Sequence, residues 1–195
     1  MAKFKFKHAV MSAGKSQELA RVNFNYRIKN QPVLLLVPET DNRNGVGVIS
    51  SRSGETLSAI AIKPGKMKDF LQERLADNLV KPVCILTDET QFFKKEDIFA
   101  LKEMAVIEKD IPVIAYGLKS DFQANLFEGS AACLAVAEEI IEIETVCAFC
   151  NKKAILNMRF LNGNPVKEGE QVVIGDNEYR QVCHYHFLQE DLTLE

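Results

Sequence analysis

Short unbroken apolar runs alternate along the chain with longer segments in which apolar residues recur every three or four positions. The runs "PVLLLVPE" (32–39), "VKPVCILTDE" (80–89) and "IPVIAYGL" (111–118) are continuously apolar. That pattern is typical of strands buried on both faces. The opening "FKFKHAVM" (4–11) alternates and then turns apolar, as a short strand does. In "SQELARVNFNYRIKN" the apolar positions Leu19, Val22, Tyr26 and Ile28 have near-helical spacing. In 94–110, Ile98, Leu101, Met104, Ala105 and Ile107 suit one face of an amphipathic helix. Strands alternating with helices predict an α/β fold with a mostly parallel sheet and helices on both faces.

Two segments break the alternation. "DNRNGVGVISSRSGE" (41–55) is rich in Gly, Ser and Asn and predicts a turn or mobile loop. From about residue 145 the chain reads as short strands joined by turns, with cysteines in close pairs. We place a domain boundary near Glu144, giving an α/β domain over 1–144 and a smaller one over 145–195.

Composition narrows the partners. The 195 residues suffice for one good core and a small appendage. The net charge of −3 implies no broad basic surface, which disfavours nucleic acid as a partner. No stretch approaches the roughly 18 apolar residues of a membrane span, so no membrane is expected. The start lacks a signal-peptide pattern. Five cysteines, an odd number with no export signal, argue for a reducing, cytoplasmic setting. Metal ligation is then a stronger reading of close cysteine pairs than disulfides.

The loop after the first strand contains candidate chemistry. "HAVMSAGKS" (8–16) matches the second half of the phosphate-binding pattern G-x-x-x-x-G-K-[ST], with Ala9 where the first glycine would stand. Backbone N–H groups around Ser12 to Lys15 would face phosphates at a helix N-terminus. Lys15 would bridge the outer phosphates and Ser16 would hold Mg²⁺. Alanine can replace the glycine if Ala9 keeps φ negative. A chance Gly-Lys-Ser turn is the bland alternative. Asp88 closes a buried strand, where such enzymes place an acid that steadies Mg²⁺. Glu89, next along, would point the other way and could take a proton from an attacking hydroxyl. Gln91 joins Met11, Ser12, Ala13, Gly14, Lys15, Ser16 and Asp88 in the candidate ATP and phosphate set. Two solvated acids at a strand end are the alternative there.

Cys147 and Cys150 form a C-x₂-C pair, and Cys183 with His186 a C-x₂-H pair. Together they fit a tetrahedral, structural Zn²⁺ site with no open position. His184 is a possible substitute for His186, and reduced structural thiols are the plainer reading. Cys84 and Cys133, in apolar surroundings, read as core residues.

In this order, "MSAGKS", "DETQFF", "YGLKSDFQANLF" and the C-x₂-C…C-x₂-H pair resemble the type II thymidine kinase family over residues 4 to 187. "DNR" (41–43) and "SSRSG" (50–54) also resemble family segments. Loops lacking the first glycine occur in its bacterial branch. The resemblance implies a P-loop domain and a zinc-bearing lasso domain that closes over the nucleoside. It implies ATP-dependent phosphorylation of the 5′-hydroxyl of thymidine, with deoxyuridine as a second substrate, in a tetramer or dimer. It assigns Glu89 as general base, Lys15 and Ser16 to phosphate and magnesium, and Asp88 to magnesium. Arg43 and Arg52 fall near the phosphates. Met11, Phe92, Leu118, Phe122 and Phe127 match walls of the thymine pocket. Tyr179 matches a lasso tyrosine, and Val173, Ile174 and Gly175 offer backbone groups to the base edge. The chain departs from the family at Thr90, where a small residue is common, at Lys119, and at Asp176-Asn177. The rival reading is a P-loop ATPase whose zinc module binds nucleic acid or a protein.

Overall fold

The computed structural model describes residues 1–41, 45–51, 54–76, 80–172, 178–189 and 192–194. The arginines at 43 and 52, the lasso residues Val173, Ile174 and Gly175, and the departure at 176–177 lie outside these.

The four expected strands are β1 (Phe4–Ala9), β2 (Val33–Pro38), β6 (Cys84–Thr87) and β7 (Val113–Leu118). They form the centre of a six-stranded sheet whose pairings are all parallel. Two short strands without a strong sequence signal, β5 (Ile60–Ile62) and β8 (Glu139–Glu142), close its edges in the order β5-β2-β6-β7-β1-β8. In β2, β6 and β7, alternate residues enter opposite cores. Ile85 packs with Phe4, Phe6, Leu34 and Val113 under α2 (Met67–Arg74), α3 (Lys95–Ala100) and α4 (Glu128–Val136). Cys84 and Leu86 pack with Leu19, Val37 and Tyr116 beneath α1 (Lys15–Arg27). Double-sided burial is why these strands read as unbroken apolar runs.

Helical periodicity fails in two places. The expected helix over 94–110 is α-helical only in α3; Leu101–Glu108 continues it as a π-helix. The wider winding turns Val106 inward, 1 % exposed, and Ile107 outward, 58 % exposed. Ile28 caps the C-terminus of α1 and is exposed, so the apolar face ends at Tyr26.

Part of the expected loop is a strand. Val48–Ser50 is a strand (β3), paired antiparallel with Thr56–Ser58 (β4). Ile49 is buried beneath it, and Leu57 packs alongside. Local Gly and Ser content hid a hairpin that tertiary burial selects.

Beyond residue 145, β9 (Leu156–Leu161), β10 (Asn164–Val166) and β11 (Glu178–Val182) form an antiparallel sheet in the order β10-β9-β11. Its core consists of Cys147, Leu156, Met158, Phe160, Val182 and Cys183. Buried Asn157 joins the two sheets. Its Oδ1 accepts the Met11 N–H at 2.8 Å, and its Nδ2 donates to the Ser120 carbonyl at 3.4 Å.

Candidate active site

Ala9 resolves the missing glycine. It is the last residue of β1, paired with Leu118, and is absent from the positive-φ positions. Strand backbone suits any residue, so nothing there requires glycine. The left-handed positions of the loop are Ser12, at φ 61°, and Gly14, at φ 83°. Gly14 is the N-cap of α1, and the Glu18 N–H donates to its carbonyl at 3.0 Å. The positive end of a 13-residue helix therefore opens at the loop. Lys15 is only 8 % exposed. A buried ammonium is costly unless an anion meets it, and phosphate oxygens would do so.

Asp88 follows the last residue of β6, two strands across the sheet from β1. The Ser16 hydroxyl donates to Asp88 Oδ2 at 2.8 Å, joining the phosphate loop to the acid. The Glu89 N–H donates to Asp88 Oδ1 at 3.0 Å. Burial raises the Asp88 carboxyl to about 6, and the neighbouring Glu89 carboxylate adds to this; Ser16 and Lys15 oppose it. Two crowded acids and a hydroxyl form an all-oxygen donor set, the chemistry of a hard divalent cation such as Mg²⁺. Glu89 stands at φ 47°, ψ 38°, a left-handed conformation that a side-chain-bearing residue adopts at about 1–2 kcal/mol. This bend ends the line of β6 and opens the tight turn Thr90–Phe92.

These groups share one cavity of about 550 Å³, lined by Ser12, Gly14, Lys15, Ser16, Asp88 and Glu89. Met11 and Leu118 line it too, as do Asp41 and residues Val48–Ser51 of the hairpin. The hairpin is the part of the site that residue-by-residue reading missed. Its local signal is the apolar pair Val48-Ile49 inside an otherwise polar stretch, beside the family resemblance of 50–54.

Other expected residues sit around rather than on this cavity. Gln91 is buried behind Glu89, 2 % exposed, with both ends of its amide engaged. Phe92 and Phe127 form an edge-to-face pair with centroids 5.9 Å apart. Phe122 is buried with the Arg159 guanidinium 3.8 Å above its ring. Tyr179 is half-buried on β11, opposite Arg159. None of these four aromatic residues is among the described lining of the cavity. Thr90 fits its turn without crowding it: its hydroxyl bonds that of Thr87 at 2.6 Å.

Cys147, Cys150, Cys183 and His186 bring their ligand atoms within 4.8 Å of one another. Cys150 and Cys183 have sulfurs 3.8 Å apart. That matches the edge of about 3.8 Å in a tetrahedron with zinc–sulfur bonds of about 2.3 Å. His186 presents Nδ1 at 3.3 Å from Cys147 Sγ and 3.4 Å from Cys183 Sγ. The choice of His186 over His184 follows from the short helix α5 (His184–Phe187), which Cys183 caps. Three residues on from Cys183 lie nearly one turn later, on the same side. Cys84 and Cys133 are fully buried core residues, and burial pushes the Cys84 thiol up to about 11.

Known proteins give the same picture. The family model described as thymidine kinase matches residues 2–187. A thymidine kinase of Streptococcus pyogenes serotype M1 is 42% identical over 193 residues, covering 98% of this chain and 100% of the relative. That of Enterococcus faecalis is 43% identical over 189 residues, covering 96% and 95%. That of Lactococcus lactis is 41% identical over 194 residues, covering 98% and 100%. With a matching model over nearly its whole length and relatives at this identity, the chain belongs to the thymidine kinase family, in its type II, bacterial-like branch, and is a kinase.

Proposed function

We propose that the protein transfers the γ-phosphoryl group of ATP to the 5′-hydroxyl of thymidine, and of deoxyuridine, with Glu89 as the general base. The observation supporting this most is the meeting of Lys15, Ser16, Asp88 and Glu89 on one cavity. The loop amides, the α1 N-terminus and Lys15 bind the phosphate chain and spread its charge. Ser16 and Asp88 would hold Mg²⁺, which supplies charge neutralisation for the transferring group. Glu89 accepts the proton of the 5′-hydroxyl as its oxygen bonds phosphorus and the bond to ADP breaks. Met11 and Leu118, with the aromatic residues Phe92, Phe122 and Phe127, offer apolar faces for a flat base. The segment 145–195 acts as the lasso domain, with Val173, Ile174, Gly175 and Tyr179 over the nucleoside. Cys147, Cys150, Cys183 and His186 hold a Zn²⁺ that is structural, since four protein ligands leave no open position.

We also infer a cytoplasmic homo-oligomer, a tetramer or dimer. Exposed Phe24 and Ile28 on α1 and Ile140 on the edge strand β8 are apolar surface that further copies could cover. No helix among the described residues is long and apolar enough to cross a membrane.

The test is transfer of labelled γ-phosphate from ATP to thymidine. Labelled thymidine 5′-monophosphate is the expected product. ATP hydrolysis that DNA stimulates, with no nucleotide product, would establish the ATPase reading instead.

A further inference from the structure

We propose that Gln91 is a positioning residue: it clamps the carboxylate of Glu89 from behind and ties it to the peptide of Leu118 on the neighbouring strand. This rests on Glu89 being the base, as set out above.

The direction of the Gln91 amide is determined by what surrounds it. Its Oε1 accepts the Leu118 N–H at 3.0 Å. A backbone N–H can only donate, so the oxygen end of the amide must face β7. The NH₂ end is then left for Glu89, and Nε2 donates to Glu89 Oε2 at 2.5 Å. An amide N–H needs an acceptor oxygen, so the contact suits the ionised carboxylate. The bond holds Oε2 toward the turn and so orients the whole carboxylate.

The surroundings leave room for this amide and little else. Gln91 is 2 % exposed. A Cβ at Gly117 would lie 2.8 Å from Gln91 Oε1 and 3.3 Å from its backbone nitrogen. A Cβ at Gly129, in the first turn of α4, would lie 2.4 Å from the Thr90 carbonyl oxygen and 2.7 Å from that of Phe93. Two glycines thus let β7 and α4 close on the turn that bears Gln91. Leu118 is held at its carbonyl as well, since the Ser130 hydroxyl donates to it at 2.5 Å. Leu118 also lines the phosphate cavity. The clamp therefore fixes the base relative to a wall of the site. A long carboxylate side chain has several rotamers to lose, and the clamp narrows them before the hydroxyl arrives.

A positioning role has a kinetic signature that loss of folding lacks. Gln91→Glu keeps an acceptor for Leu118 but replaces the donor facing Glu89 with a second carboxylate. It is expected to lower kcat by roughly 10-fold or more, with KM for thymidine and ATP within about threefold, because the lost interaction serves the transition state. Gln91→Met removes both bonds and should lower kcat similarly. Each variant is then combined with Glu89→Gln. If Gln91 acts through Glu89, its replacement should change kcat in that background by less than about twofold, as expected for residues acting as a unit. Should Gln91→Glu fail to fold, Gly117→Ala, which crowds the amide without altering it, enters the same cycle with the same expected non-additivity.

Wild-type kcat in the Gln91 variants would overturn the proposal. So would a loss confined to KM, or an equal loss with and without the Glu89 carboxylate. Wild-type kcat in Glu89→Gln alone would instead remove Glu89 from the base role, and the clamp with it.

Discussion

The phosphate site and the cysteine–histidine centre are both made of residues close in space, yet they are held in different ways. The phosphate site sits at the ends of parallel strands whose alternate residues fill two apolar cores. Its loop, Ser16–Asp88 bond and bent Glu89 inherit their places from that frame. Among the described residues, the core cluster of the second region has six buried members, two of them its own cysteines. So small a core gains much from a metal on the cysteine–histidine cluster, which is the role proposed for it. The difference teaches that a sheet buried on both faces sets its site by packing, whereas a small core leaves more of that task to its polar and sulfur groups. Ser12 and Glu89 hold left-handed backbones beside the large sheet.

The comparison breaks most visibly if the metal is removed. Cys147→Ala, or chelation of the wild type, should unfold 145–195 while the sheet persists, because structural zinc contributes about 10–16 kcal/mol in small modules. Limited proteolysis should then cut beyond Glu144, thymidine phosphorylation should be lost, and ATP should still protect 1–144. Simultaneous melting of both regions would show that they share one core.

On the other side, Lys15→Ala should cost roughly 10²–10³-fold in kcat, the usual loss of one preorganised charge-stabilising group. Zinc content and melting temperature should hardly move. Glu89→Gln should keep ATP binding and lose roughly 10²-fold or more in kcat, in the range of a general base. Equilibrium binding of a fluorescent ATP analogue beside steady-state turnover checks both.

The smallest effect sharpens the loop itself. Ala9→Gly recreates the first glycine of the usual pattern but places it in a strand. It should raise neither affinity nor turnover, and should destabilise by about 0.5–1 kcal/mol. Gly14→Ala, at φ 83°, should cost about 1–2 kcal/mol. Denaturant midpoints rank the two.

Which parts were readable follows from how local their signals are. The central strands announce themselves because both faces are buried, and the cysteine–histidine cluster because its spacing is set within two short turns. Lys15, Ser16, Asp88 and Glu89 were legible since each is fixed by its place at the end of one strand or the start of one helix. The hairpin at 48–58 and the edge strands β5 and β8 were not, since their pairing depends on partners elsewhere in the chain. Ile107 shows a subtler limit: a π-turn shifts helical phase by one residue, and periodicity assumes that phase constant. Gln91 shows another. The sequence puts it near the acids, but only the Leu118 N–H, 27 positions away, sets which way its amide faces.

The sequence alone therefore determined the sheet's central strands, the chemistry available at their ends and the four members of the cysteine–histidine cluster, because burial periodicity and short-range spacing are written in neighbouring residues. The tertiary structure alone decided that the hairpin borders the phosphate cavity, that Asn157 joins the second sheet to the loop at Met11, and that Gln91 stands behind Glu89. Each of these depends on distant segments closing on one another, and that geometry comes from packing the whole core.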